Sequence, residues 1–358
     1  MDKARIILED GTEFFGKSFG FKRSVSGEVV FNTAMTGYPE SLTDPSYMGQ
    51  ILVMTYPLVG NYGVPEKAVD SKGISLHMES EKIHVRALVV FDYSHSYSHW
   101  NARESLHQWL ESEKVPGIYD VDTRALTKLL REKGSMKGKL VVAVDDPDTV
   151  PFTDLNRENL VAGVSCKEII VYTGDPGSKK VVLIDCGVRH NIIRSLLKRG
   201  VTVVRVPWDF NFTTLEYDGL FISNGPGDPN MCKTTIINLK QALEGNKPIC
   251  GIGMGNQLLG LAAGGKVYKM KYGHRGHNQP VRDEETGRCH ITSQNHGYAL
   301  NPGSLDKEWI PLYTNLNDGT NEGIRHRTKP FFSSQFYPDT SDGSTDTVSL
   351  FDKFTEII

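Results

Sequence analysis

The chain has 358 residues, 39% of them apolar and 23% charged, with a formal net charge of −3. That length suits two or three domains. The interspersed charges exclude the basic field of a nucleic-acid binder and the like-charge run of a polyelectrolyte tail. No apolar stretch has membrane-spanning length, and residues 1–5 lead into a strand-like segment without a secretory signal pattern. Five widely spaced cysteines, Cys166, Cys186, Cys232, Cys250 and Cys289, read as reduced intracellular thiols, not a disulfide framework or a zinc site.

In chain order, residues 5–8 and 13–15 read as strands of a hairpin, because Asp10-Gly11 favours the tight turn between them. Residues 27–32, 50–54 and 87–91 are further strands. Residues 102–110 and 123–131 have helical spacing, with Asp122 and Thr123 placed to cap the second. This first domain, residues 1–150, is mixed α/β. A connecting segment follows over 151–180, its residues 171–180 having the composition of a linker. From 181 the rhythm changes to strands at 181–184, 201–204 and 220–223, alternating with helices at 191–198 and 234–243. That alternation predicts an open α/β sheet with helices on both faces over 181–358, and ligands bind at the strand ends of such a sheet.

Residues 248–262 read as a buried strand, a glycine turn and a helix. This is the outline of a nucleophile elbow, which projects one reactive side chain from a sharp corner. The residue at that corner is Gly253, which supplies no attacking atom. The loop Asn224-Gly-Pro-Gly-Asp228 offers backbone N–H groups to an anion, although the same residues also suit a turn that binds nothing. Near the C-terminus, Tyr337 and Asp339 lie two apart on a short strand entering a proline turn, and so share a side if the strand continues.

The whole chain resembles the small, amidotransferase subunit of carbamoyl phosphate synthetase, or the equivalent domain of the fused eukaryotic enzymes. The resemblance rests on Leu8-Glu-Asp-Gly11, Gly37-Tyr-Pro-Glu40, Leu42-Thr-Asp-Pro-Ser-Tyr47 and Asp122-Thr-Arg124 in the first half. In the second half it rests on Ser223-Asn-Gly-Pro-Gly-Asp-Pro229, Ser293-Gln-Asn-His-Gly-Tyr298 and Asn321-Glu-Gly-Ile324. The run 272–281 is closer to the fused eukaryotic form. It implies a family-specific N-terminal domain followed by a class I amidotransferase domain, in which a cysteine attacks the glutamine amide, a histidine moves the proton and a glutamate orients it.

All three positions depart from that pattern. The cysteine position is Gly253, the histidine position Tyr337 and the glutamate position Asp339. A phenol has an ordinary pKa of about 10 and is a poor base near neutrality. Cys250, three residues before the elbow, lies within the apolar strand, and His296 is near the site by resemblance. The resemblance also implies that Ser46, Gly225, Gly227, Met254, Gln257, Asn295, Gly297 and Tyr298 hold glutamine or its oxyanion, the backbone N–H groups of Gly227 and Met254 facing the oxyanion. The alternative role of these residues is to keep the loops folded.

The expected function is therefore a carbamoyl phosphate synthetase domain that does not hydrolyse glutamine and supports ammonia-dependent synthesis. The partner is a large synthetase component, separate or fused, with glutamine bound but not turned over and neither nucleic acid nor membrane involved. No cofactor or metal is expected in this chain. Gly264-Gly265-Lys266 lacks P-loop spacing, and ATP and magnesium belong to the large component. The expected setting is cytoplasmic, with a mitochondrial one as the alternative. The competing reading is a glutaminase domain inactivated by deliberate substitution at these positions.

Overall fold

Ala4, Ile6 and Leu8 are buried and alternate with more exposed neighbours, the period-two pattern of a strand with one buried face. That strand, β1 (Lys3–Leu8), turns back through Asp10-Gly11 into β2 (Glu13–Gly20). Gly11 takes φ +84°, and the Asp10 carboxylate accepts the Thr12 amide at 3.0 Å. The dipeptide thus supplies both the left-handed residue and the acceptor that close the turn. The computed structural model describes residues 3–142, 145–338 and 343–358, and the chain divides into two compact units, Met1–Glu158 and Asn159–Ile358. No helix among the described residues is long and apolar enough to cross a membrane.

In the first unit β1 and β2 belong to a closed barrel. Its other strands are β3 (Val25–Asn32), β4 (Gln50–Met54), β5 (Ala87–Val89), β6 (Pro116–Tyr119) and β7 (Met136–Val142), in the order β1-β7-β3-β4-β5-β6-β2. Strands β3 to β6 run parallel. Val29 with Val30, Leu52 with Val53 and Leu88 with Val89 are buried as adjacent pairs, which a strand sends to opposite faces. Val30, Leu52 and Leu88 pack in one cluster with Leu106, Trp109 and Leu110 of the Leu106–Ser112 helix. Burial on both faces explains why these strands read as unbroken apolar runs.

The helix expected over 102–110 is shorter than its spacing suggested. Ala102–Glu104 pairs with Val64–Pro65, and the helix begins only at Leu106. A capping box sets that start: Ser105 Oγ accepts the Gln108 amide at 3.2 Å, and Gln108 Oε1 accepts the Ser105 amide at 3.0 Å. The other expected helix is Thr123–Lys133, where Asp122 accepts the Ala125 amide at 2.9 Å, a cap that contributes about 1 kcal/mol.

His84 is buried in this unit, with Nε2 3.0 Å from Ser80 Oγ. Desolvation, helped by the charge of Lys82, pushes its pKa down to about 4. The unfolded chain takes up this proton near pH 6.5, the folded chain only near 4, so stability is lost as pH falls through that window. At pH 5 the loss is about 2 kcal/mol in order of magnitude. Urea titrations at pH 7 and pH 5 should therefore show a flatter pH dependence in His84→Asn than in the parent chain; equal slopes would remove His84 from the account.

The second unit is built on a ten-stranded sheet. Its strands are β8 (Ile170–Tyr172), β9 (Lys180–Asp185), β10 (Thr202–Pro207), β11 (Gly219–Ile222), β12 (Ile249–Ile252), β13 (Lys266–Asp283), β14 (Cys289–Asn301), β15 (Trp309–Asn315), β16 (Asn321–His326) and β17 (Phe331–Ser334). Their order is β8-β10-β9-β11-β12-β17-β16-β15-β13-β14. The run from β10 to β17 is parallel, and the remaining pairings are antiparallel. Phe221 meets Phe351 and Phe354 of the Ser349–Ile357 helix, with ring centroids 5.7 and 5.2 Å away. Its neighbours Leu220 and Ile222 pack instead with Leu239 of the Lys233–Glu244 helix and Leu258 of the Met254–Ala262 helix. Alternation along β11 therefore covers both faces with helices, as the sequence rhythm predicts. The unit boundary at 158/159 lies within the segment read as a connection. Part of that segment, Ile170–Tyr172, is an edge strand on β10 and not linker.

Candidate active site

Strand β12 enters the Met254–Ala262 helix through Gly253, whose φ of +59° and ψ of −112° make the sharp corner. The glycines on either side have a different task. A Cβ at Gly251 would lie 2.5 Å from the Gly255 carbonyl oxygen, and one at Gly255 would lie 2.2 Å from that of Ile222. Those two positions let the strand and helix approach, and Gly253 makes the turn. Its N–H donates to the Ser334 carbonyl at 2.9 Å. A Cβ on Gly253 would meet Asn224 Cβ at 3.2 Å and Tyr337 Cε1 at 3.5 Å.

Tyr337 reaches this corner because the chain leaving β17 bridges to β14, its N–H donating to the Ser293 carbonyl at 2.9 Å. Its side chain is buried, and the Arg189 guanidinium lies 4.6 Å from the ring centroid, within cation–π range. Arg189 is positioned from two sides. Its N–H donates to Asn224 Oδ1 at 3.1 Å. Asp185, at the end of β9, accepts the N–H groups of Gly187 and Val188 at 2.9 and 2.8 Å. Asn224, Gly253 and Tyr337 thus converge on one spot, with Arg189 over the tyrosine. Asp339 lies outside the described residues.

The other positions named from sequence divide by environment. Gly225 and Gly227 lie on the loop after β11; a Cβ at Gly225 would strike the Cys186 carbonyl at 2.1 Å, and Gly227 takes φ +83°. Met254 is the first helical residue, where an N–H has no intrahelical acceptor. Gln257 is buried, its amide donating to the Tyr298 carbonyl at 2.9 Å and to Gln335 Oε1 at 3.2 Å. Asn295, Gly297 and Tyr298 are on β14. Ser46 belongs to the first unit, where its N–H donates to Asp44 Oδ1 at 2.9 Å.

The family model for the carbamoyl-phosphate synthase small chain, CPSase domain, matches residues 6–140, and that for glutamine amidotransferase class-I matches residues 182–357. The carbamoyl phosphate synthase arginine-specific small chain of Saccharomyces cerevisiae is 50% identical over 366 residues, which cover 99% of this chain and 89% of that protein. The chain belongs to the carbamoyl-phosphate synthase small chain family. The multifunctional protein CAD of Squalus acanthias is 53% identical over 355 residues, and the mitochondrial carbamoyl-phosphate synthase [ammonia] of Homo sapiens 51% over 358. Each comparison covers 99% of this chain, which spans only 16% and 24% of those two longer proteins.

Within the amidotransferase domain of this small chain, Cys250 is fully buried among strand partners Phe221 and Phe332, and burial pushes its thiol well above the ordinary range. This apolar, buried setting is the opposite of the electropositive, partly exposed one that activates a thiol. His296 lies beside His274 and Glu322, two side chains that sequence reading did not single out. Burial, and next the charge of His274, pull His296 well below the usual imidazole range. For His274, burial opposes the charged form, but Glu322 and Asp318 prevail and raise its pKa. The three residues sit on separate strands, so no local spacing signals them.

Proposed function

We propose that this chain is the small-chain part of a carbamoyl phosphate synthetase whose amidotransferase domain does not hydrolyse glutamine. In this reading it supports ammonia-dependent synthesis by a large component, either separate or fused to it. One observation carries the reading: the elbow corner is Gly253, and the buried ring of Tyr337 faces the point from which a nucleophile would project. Acyl transfer from an amide needs an attacking atom and a group that takes its proton. Glycine lacks the first, and a phenol is poorly suited to the second near neutrality.

Glutamine binding without turnover belongs to the same proposal. Gly225, Gly227, Met254, Gln257, Asn295, Gly297 and Tyr298, all of the second unit, would hold the ligand. The helix N-terminus at Met254 suits a developing negative charge. The Gln257 amide is already committed to Tyr298 and Gln335, which favours a scaffolding role for that side chain. ATP and magnesium chemistry would reside in the large component. Among the relatives, one group is named for ammonia and for mitochondria, in keeping with an ammonia-fed reaction and with a cytoplasmic or mitochondrial setting.

The test uses the chain together with its large component. Carbamoyl phosphate should form with ammonium and ATP but not when glutamine replaces ammonium, and glutamate release should stay at the uncatalysed background. Glutamate production matched to carbamoyl phosphate would overturn the proposal.

A further inference from the structure

His274, His296 and Glu322 come from β13, β14 and β16 and meet in the interior of the second unit. His274 and His296 are Cα partners across β13 and β14, with ring centroids 5.0 Å apart. The outer hydrogen bonds decide where each lone pair points. Two oxygens that only accept flank His296, and the Tyr298 carbonyl at 2.9 Å from Nδ1 is closer than Gln294 Oε1 at 3.1 Å from Nε2, which puts the proton of a neutral ring on Nδ1. The Asp318 carboxylate likewise accepts from His274 Nε2 at 2.9 Å. His296 Nε2 is then a lone pair, and so is His274 Nδ1 once an ion displaces the proton that Glu322 and Asp318 favour on that ring. Both face Glu322 Oε1, at 3.8 and 3.2 Å.

Three facing acceptors repel one another unless something positive lies between them. Asn315 Nδ2 supplies one donor, 3.1 Å from Glu322 Oε1 and 3.4 Å from His274 Nδ1. Gln294 Oε1 adds a further oxygen 3.1 Å from His296 Nε2. Glu322 is fully buried, and its Oε2 has no hydrogen-bond partner among the described residues. The three ligand atoms lie within 4.8 Å of one another. Ligands on a tetrahedral zinc with bonds of 2.0–2.1 Å stand about 3.3 Å apart, so small shifts bring this set to that geometry. Metal-bound histidines commonly donate their remaining N–H to a carboxylate or carbonyl, as both rings do here.

We propose that His274, His296 and Glu322 form a buried divalent-metal site, with zinc the ion suited to two imidazoles and one carboxylate. The ion clips together three strands of the antiparallel part of the sheet. This role is independent of whether glutamine is cleaved.

The full chain is dialysed against zinc at neutral pH, passed through gel filtration and assayed for metal. Zinc should be retained at one ion per chain, and cobalt in its place should give the visible absorption of a tetrahedral site. Zinc at a hundredfold excess over its Kd should raise Tm by about 5–10 °C. Glu322→Gln, nearly isosteric, should lose the retained zinc, the cobalt spectrum and the Tm response. His296→Asn serves the same comparison if the first variant does not fold, and Cys289→Ser in every sample keeps the exposed thiol from contributing. A parent chain that retains no zinc, or a Glu322→Gln chain that retains as much, overturns the site. The cluster is then a protonated His274 held between Glu322 and Asp318.

Discussion

Gly253→Cys alone should leave glutamine uncleaved, whereas Gly253→Cys combined with Tyr337→His should raise glutamate release by about 10³-fold over the single variant. The single substitution restores an attacking sulfur but gives it no imidazole to take its proton. It also adds a Cβ 3.2 Å from Asn224 Cβ and 3.5 Å from Tyr337 Cε1, at a residue with φ +59°. A side chain in that backbone region costs about 1–3 kcal/mol, so the single variant should melt earlier than the parent. Histidine is smaller than tyrosine and relieves part of the crowding, and Asp339 keeps a carboxylate two residues further on. Glutamate assays on the parent, single and double variants, with a thermal melt of each, check the result. Rapid hydrolysis by Gly253→Cys alone would show that Tyr337 is no second deficit and that the missing cysteine explains everything.

Asp185→Asn should destabilise the second unit by about 3–5 kcal/mol, because it leaves a buried guanidinium without its counter-charge. Asp185 is fully buried, and Arg205 donates to its Oδ2 from Nε at 2.8 Å, with NH2 at 2.7 Å. The same oxygen accepts the Cys166 N–H at 2.7 Å, while Oδ1 holds the N–H groups of Gly187 and Val188. The carboxylate therefore ties an arginine on β10 to the loop that carries Arg189 over Tyr337. At about 2–4 °C per kcal/mol for a unit of this size, Tm should fall by roughly 6–20 °C. Adding Arg205→Met should recover much of the loss, since replacing both charges by apolar groups is far less costly than stranding one. If the double variant is no more stable than Asp185→Asn, the coupling between the two charges is absent and the loss comes from the loop hydrogen bonds alone.

The four antiparallel strands β13 to β16 are not legible in the sequence, but the parallel half of the second unit is. Its short apolar strands alternate with helices and are punctuated by glycine loops, and each signal spans only a few residues. In the first unit the hairpin at Asp10-Gly11 and the cap at Asp122 were equally local. The barrel was not: its closure depends on β1 pairing with β7 and β2 pairing with β6, far apart in the chain. The segment at 102–104 misled for a related reason, since its pairing with Val64–Pro65 outweighs helical spacing. Ile170–Tyr172 had a linker-like tail but gained strand structure from an edge supplied by β10.

The same division runs through the site. The sequence by itself determined that the elbow corner carries no nucleophile, because a missing side chain at Gly253 is a covalent fact that no folding can reverse. It also determined the family, through motifs spread over both halves. Only the tertiary structure decided that Tyr337 faces the empty corner, since that contact needs β17 beside β12 and a bridge to Ser293. Tertiary packing also buried Cys250 between β11 and β17. Register shifts in β13 between Lys269 and His274 and between Gly276 and Gln279 flank the pairing that sets His274 opposite His296. A one-residue slip would send those side chains to the other face of the sheet, so that cluster exists only through long-range pairing.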